Sequence, residues 1–209
     1  MSGSLKVGGS ELINDNGGSG SLQWGSGVPS GSIVQVQYTQ YTGSAAMSGL
    51  SVNIDYSIKD GNANTGTEIL TVQLTPRISN SKFIIEAQWM GELVDSQMTW
   101  NSTFLFLRGS TRLGNSNTGN NAGIQVPWFT HPNDSLDDGS TGNGVYLKYF
   151  DAPNISAGTA TTWKLAFNQA DDSSNQVVYT NQTADAEAGP NNTGMERGIS
   201  FISVTELAP

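Results

Sequence analysis

Cysteine is absent from this sequence of 209 residues, and histidine occurs once, at position 131. Without cysteine, neither a disulfide bond nor a thiolate metal site can form, so stability must come from packing or from the association of chains. A Ser-His-Asp mechanism would depend on His131 alone. Because His131 lies between Thr130 and Pro132 at the start of a loop, a structural role is the better interpretation. A zinc site of the usual kind is equally disfavoured, and we expect no metal and no cofactor.

Charge of either sign is scarce, since charged residues make up 13% of the chain. The net charge is −9, and the nine Lys and Arg residues are spread singly. No basic stripe is present to neutralise phosphates, so we expect no nucleic-acid binding. Asn, Gln, Ser and Thr must then supply most of the polar surface, which suits hydrogen bonding to sugars and packing against other copies. The arginines are expected to pair with acids within or between subunits.

Long apolar runs are missing as well. The N-terminus, MSGSLK, lacks the apolar region of a secretory signal. No run approaches the ~20 apolar residues that span a bilayer. We therefore expect synthesis in a cytoplasm and no membrane insertion.

The chain consists instead of short alternating runs of apolar and polar residues. Successive side chains of a strand point to opposite faces, so Leu70, Val72 and Leu74 share one face while Thr71 and Gln73 share the other. With no helical periodicity of useful length, this predicts an all-β fold, a jelly-roll-like antiparallel β-sandwich with a short Gly-rich N-terminal extension. Strands are predicted at residues 33–41, 67–75, 82–91, 103–108, 124–129, 145–150, 161–168, 176–180 and 197–207.

Two features refine this fold prediction. The unbroken apolar run from Phe104 to Leu107 predicts a central strand that is buried on both faces. Trp89, Trp163 and Phe167 fall on apolar strand faces, so we expect them in the core.

The sandwich domain is predicted to span residues 31–209. Residues 1–30 form either a disordered leader or short strands that become stable when several chains wrap together.

Aromatic residues give the best indication of a binding site. Trp128 and Phe129 follow Pro127 between two polar loops, and Asn133 comes shortly after. A sugar site needs a flat apolar ring for stacking and amides that bond hydroxyls, so we predict glycan binding by Trp128, Phe129, Asn133 and Tyr146, with Tyr149 in the same patch. The alternative is that Trp128 plugs the end of the sandwich.

Carboxylates do not form a defined catalytic pair. Glycoside hydrolysis would require two opposed acids. The first cluster below is better interpreted as solvated acids at a strand edge. The second cluster has oxygen ligands at close spacing and could hold calcium, but it lacks the EF-hand order of acids, so a plain acidic loop is the preferred interpretation. We expect no enzymatic activity, and a polysaccharide depolymerase is the least favoured reading. The clusters are Glu86, Glu92 and Asp95, and Asp134, Asp137 and Asp138.

Several blocks together resemble phage tail-fibre and receptor-binding proteins, of the kind found in marine and cyanobacterial phages. Each block is a strand or turn sequence, and their order and spacing carry the resemblance over residues 29–207. The blocks are PSGSIVQV at 29–36, LTPR at 74–77, SNSKFII at 79–85, FLRGST at 106–111, YFDAP at 149–153 and ERGISFISVTE at 196–206.

The resemblance implies a homotrimeric sandwich tip on a virion that recognises a host-surface glycan or envelope component. It also implies that residues 1–30 attach the tip to other virion proteins. Only some 28 residues precede the tip-like region, so a capsid decoration or head-fibre protein is the alternative. The residues expected in attachment are Leu5, Val7, Leu12, Ile13, Leu22 and Trp24.

Overall fold

The computed structural model describes residues 4–14, 23–25, 27–42, 51–53, 67–93, 102–114, 143–169, 177–183 and 197–209. Within these ranges the regular structure is entirely β-strand, which confirms the all-β prediction. The strands are β1 (Ser4–Val7), β2 (Ser10–Asn14), β3 (Gln23–Trp24), β4 (Ile33–Tyr41), β5 (Ser51–Asn53), β6 (Thr67–Leu74), β7 (Lys82–Leu93), β8 (Ser102–Arg108), β9 (Thr111–Arg112), β10 (Asn143–Asp151), β11 (Thr161–Gln169), β12 (Val177–Thr180) and β13 (Ser200–Leu207).

The strands form three antiparallel sheets. The N-terminal sheet has the order β1-β2-β3. The large sheet has the order β4-β13-β7-β12-β5, with β10 also paired to β7, and the small sheet has the order β6-β11-β8-β9. The large and small sheets pack face to face in a sandwich-like arrangement.

Large aromatic side chains fill the space between these two sheets. Phe83 of β7 packs against Trp163 of β11 with ring centroids 4.8 Å apart. Trp89 of β7 packs against Phe104 of β8 at 5.1 Å, and Phe104 in turn meets Phe167 edge-on. All five are essentially inaccessible to solvent, so the expectation that the tryptophans and Phe167 are core residues is confirmed. Each such ring buries roughly 150–250 Å² and accounts for much of the cohesion between the sheets.

Strand β8 is buried on both faces, as its apolar run predicts. Phe104 and Phe106 belong to the core between the sheets, and Leu105 and Leu107 on the opposite face are also 0% exposed. The strand lies inside the small sheet, between β11 and β9.

The predicted strand bounds hold closely where alternation is regular. Strand β4 spans the predicted residues 33–41, whereas β7 continues two residues beyond the predicted end, to Leu93. The predicted start of the last strand at Arg197 is wrong, because β13 begins at Ser200. Arg197 lies before the strand and forms an isolated bridge with Gln182. The predicted strand at 124–129 lies outside the described residues.

Buried polar contacts tie the C-terminal strand to the rest of the sandwich. Glu206 is 0% exposed, and its carboxylate accepts hydrogen bonds from the backbone N–H groups of Arg77 and Ile78 at 3.0 Å. The Ser81 hydroxyl donates to it at 2.7 Å and the Gln35 side-chain amide at 2.6 Å. A buried carboxylate is tolerated when such donors surround it. Glu206 therefore fixes the turn at residues 76–81 and connects it to β4.

Replacing Glu206 with Ala should lower the free energy of unfolding by roughly 3 kcal/mol, because the donors around it would be buried without acceptors. Urea unfolding followed by tryptophan fluorescence measures the change. The matched control is Glu68→Ala, since Glu68 is half exposed and its ion pair with Lys164 lies at the surface. The control should change stability by about 0.5 kcal/mol or less. Equal effects of the two substitutions would contradict the structural role of Glu206.

Candidate functional site

The side of the large sheet that faces away from the core carries a cross-strand array of side chains, which we call the outer face. Cross-strand register aligns residues from β4, β13, β7 and β10 on this face. Its three rows are Gln40, Phe201, Gln88 and Tyr146; Tyr38, Ser203, Glu86 and Lys148; and Val36, Thr205, Ile84 and Phe150.

Large apolar and aromatic side chains are exposed across the outer face. Tyr38 is 70% exposed, Tyr146 57%, Phe150 53% and Val36 50%. Single exposed apolar residues are ordinary, but several on one sheet face with polar neighbours are typical of an interaction surface. Because the opposite side of β13, β7 and β10 packs in the core, this part of the face is held on a rigid support.

A polar cluster lies within this face. The Tyr146 hydroxyl donates a hydrogen bond to Glu86 at 2.5 Å, and the Lys148 ammonium lies 3.1 Å from the same carboxylate. The hydrogen bond from Tyr146 is the largest influence that lowers the pKa of Glu86, and Lys148 lowers it further. The same hydrogen bond raises the pKa of Tyr146. The cluster thus places a ring, a carboxylate and an ammonium side by side, a set that can stack on a sugar and bond its hydroxyls.

The structure describes one of the four predicted glycan-binding residues. Tyr146 lies on the outer face, whereas Trp128, Phe129 and Asn133 lie outside the described residues. Tyr149 does not share the patch with Tyr146, which corrects that expectation: it points to the other side of β10 and packs against the core. Residues three apart in a strand face opposite ways, so the alternation already contained this signal.

Of the predicted acidic residues, too, only some lie within the described ranges. Glu86 lies on the outer face and is bonded to Tyr146 and Lys148. It is not a strand-edge acid, because it lies in the middle of β7 and is paired with β13 on one side and β10 on the other. Asp95, His131, Asp134, Asp137 and Asp138 lie outside the described residues, and of Glu92 only the backbone is described. Across the described ranges, no three His, Asp or Glu side chains are grouped so that they could hold a metal ion. No helix in those ranges is long and apolar enough to cross a membrane.

The N-terminal segment forms strands within a single chain. A hairpin joins β1 and β2 through Gly8 and Gly9, whose φ values of 58° and 84° suit a tight turn that glycine adopts without strain. Leu5 and Val7 are 57% and 62% exposed. The other residues predicted for attachment are half-buried Leu12, Ile13 and Trp24, with Ile13 opposite Trp24, while Leu22 lies outside the described residues.

Strand β4 forms one edge of the large sheet. In the described part of the chain it pairs with β13 alone, and its sequence, IVQVQYTQY, contains no charged residue. Exposed edge strands usually carry charge, proline or a cover because their unpaired backbone groups attract other strands. An uncharged edge of this length, with Ile33, Val36 and Tyr38 exposed, is typical of a contact with another chain.

Comparison with known proteins adds no assignment, because the sequence matches no protein-family model and no curated protein. The fold and the outer face define an antiparallel β-sandwich with an exposed aromatic and polar sheet face.

Replacing Tyr146 with Phe should raise the pKa of Glu86 toward its ordinary value, because the variant lacks the hydroxyl that donates to the carboxylate. A lowered folded-state pKa contributes stability above the unfolded-state pKa, and this contribution is lost as the pH falls through the folded-state pKa. The free energy of unfolding of the variant should therefore fall less steeply as the pH is lowered in the acidic range. Carbon-13 NMR titration of the Glu carboxyls measures the pKa. Tyr38→Phe, in the same row as Glu86, is the control and should leave it unchanged; equal effects would contradict the assignment.

Proposed function

We propose that this chain is a virion structural protein, a short trimeric tail fibre whose sandwich domain binds a host-surface glycan. The observation that carries the proposal is the outer face, where exposed Tyr146 stands beside a carboxylate and an ammonium on a rigid sheet. Rigid support matters because a preorganised surface loses little conformational entropy on binding.

The resemblance to phage receptor-binding proteins supports the same proposal. Its blocks fall on framework elements, and three of them meet where Glu206 accepts from Arg77 and Ser81. Residues that hold the framework together are shared more readily among related display proteins than residues that choose a receptor.

Glycan binding fits the chemistry at the β10 side of the outer face. Sugars present flat C–H patches and hydroxyls, which an aromatic ring and fixed donors and acceptors match. Tyr146 offers the ring, Glu86 an acceptor, and Lys148 and Gln88 donors. The low charge of the chain suits such a neutral ligand.

Trimer formation fits the β4 side of the same sheet. Strands β4 and β10 lie on opposite sides of the β13 and β7 pair, so a subunit contact through β4 leaves Tyr146 accessible. Three copies would display three weak glycan sites together, and multivalent attachment raises overall avidity by several orders of magnitude over a single site.

A charge placed on β4 should break the trimer. The wild-type protein should show three times the chain mass of 22.1 kDa in light scattering after size exclusion. Val36→Glu should give the single-chain mass, because the carboxylate would be desolvated in the contact. Thr71→Glu, at an exposed position of the small sheet, is the control and should stay trimeric. A wild-type monomer at micromolar concentration would refute the trimer.

Removing the Tyr146 ring should weaken attachment to host cells. We expect Tyr146→Ala to reduce adsorption of the purified protein at least tenfold, since stacking is lost at every copy of the site. Tyr146→Phe keeps the ring and should retain most of the adsorption. Unaltered melting curves for both variants establish that the fold is intact. Equal adsorption of wild type and Tyr146→Ala would exclude this face as the glycan site.

Immunogold electron microscopy of virions distinguishes the tail-fibre role from the capsid-decoration alternative. Label from antibody raised against residues 29–209 at the tail or baseplate supports the proposal. Label over the head would replace the tail-fibre role with the capsid-decoration role, in which the exposed side chains of Leu5 and Val7 contact neighbouring capsid subunits.

A further inference from the structure

An open pocket of about 490 Å³ lies between β10 and the hairpin formed by β8 and β9. These strands belong to different sheets, so the pocket lies where the large and small sheets meet at one side of the sandwich. Its lining includes Arg108, Thr111, Arg112, Leu113, Tyr149 and Phe150. Its volume is within the range of small-molecule sites.

Two arginines line the pocket, although the protein is acidic overall. The chain carries a net charge of −9 and has four arginines, two of which line this pocket. Among the described residues, the lining also contains one carboxylate, Asp151, which pairs with Arg108. Arg112 lies buried in the same lining, at 8% exposure.

Both oxygens of Asp151 are already bonded. Oδ1 accepts from Arg108 at 2.5 Å, and Oδ2 accepts from the indole N–H of Trp163 at 3.0 Å. Among the described residues, Asp151 is the one side-chain partner of Arg108. A guanidinium has five N–H donors, and the Arg108 side chain is 26% exposed. Arg108 therefore retains donors for a second carboxylate.

Resting on the proposed glycan-binding function, we propose that this pocket binds the carboxylate of an acidic sugar, with Arg108 as the residue that bonds it. Arginine forms paired, directional hydrogen bonds with carboxylates, which a point charge does not. The ring of the sugar would lie against Tyr149 and Leu113, and the Thr111 hydroxyl is the neighbouring group for a sugar hydroxyl. The volume and the mixed lining favour a sugar over a small inorganic anion.

Continuity with the outer face supports a saccharide ligand. Phe150 lines the pocket and also belongs to the outer face, where it is 53% exposed. One chain of sugars can therefore extend from Tyr146 along β10 to the pocket, so that a neutral unit contacts the face and an acidic unit reaches Arg108.

The indole N–H of Trp163 is a built-in reporter of the pocket, because it bonds the same carboxylate as Arg108. Titration of the nitrogen-15-labelled protein with sodium glucuronate should shift this resonance in a saturable way. The indole of Trp89, which donates to Thr180 at 3.0 Å elsewhere in the core, is the internal control and should not move. Glucose should cause no shift of either resonance.

Arg108→Lys tests the paired hydrogen bonds while keeping a cation beside Asp151. We expect glucuronate to bind about tenfold more weakly, because an ammonium cannot form the paired contact. Lys164→Gln removes one cation outside the pocket, where Lys164 pairs with Glu68, and should leave binding unchanged. If Arg108→Lys does not fold, the comparison of glucuronate with glucose on the wild-type protein still decides the proposal.

Three outcomes would overturn the inference. Saturation of the Trp163 shift by acetate at the same concentration as glucuronate would mean a general anion site. Equal binding by wild type and folded Arg108→Lys would exclude Arg108. No Trp163 shift with glucuronate would exclude the acidic sugar. If Trp163 does not shift but adsorption still depends on Tyr146, the proposed function stands and only the pocket assignment is rejected. If Trp163 shifts but the protein does not adsorb to host cells, the pocket assignment stands and the host-binding role is rejected.

Discussion

The two-residue alternation of β7 is the constraint on which the rest of the structure depends. Phe83 and Trp89 point toward the small sheet and pack on aromatic rings there. The residues that alternate with these core residues, Ile84, Glu86 and Gln88, point outward, and Glu86 bonds Tyr146 and Lys148. Because β13, β12 and β10 all pair with β7, its alternation sets which side of each neighbour is buried. One strand thus creates both the core and the surface available to a ligand.

Two buried carboxylates connect parts of the sandwich through hydrogen bonds, in addition to the apolar packing of the core. Glu206 binds the turn at residues 76–81, and Asp151 links Arg108 of the small sheet to the end of β10 in the large sheet. Both are nearly inaccessible to solvent, so each stabilises the fold only because its donors are in place. Arg108 and Asp151 also line the pocket. The contact that joins the two sheets therefore also positions the guanidinium of Arg108, which we assign to ligand binding.

The proposed functions divide the large sheet between its two sides. The uncharged edge at β4 is suited to a subunit contact, and the β10 side combines Tyr146, Phe150 and the adjacent pocket. This separation allows association without covering the ligand site. Tyr146 and the pocket both lie along β10. A chain of sugars would then stack on Tyr146 at one end and pair its acidic unit with Arg108 at the other.

The sequence by itself determined the strands and their faces, because alternation is a local property. Strand β4 has the predicted bounds, and Leu70, Val72 and Leu74 share the buried face of β6 as predicted. Short strands such as β9, with two residues, are too brief for a period to be read. Only the tertiary structure decided the partners of Glu206 and Asp151, since Ser81 lies 125 positions from Glu206 and Arg108 lies 43 from Asp151. Contacts over such separations depend on sheet register, which the chain sets by packing as a whole.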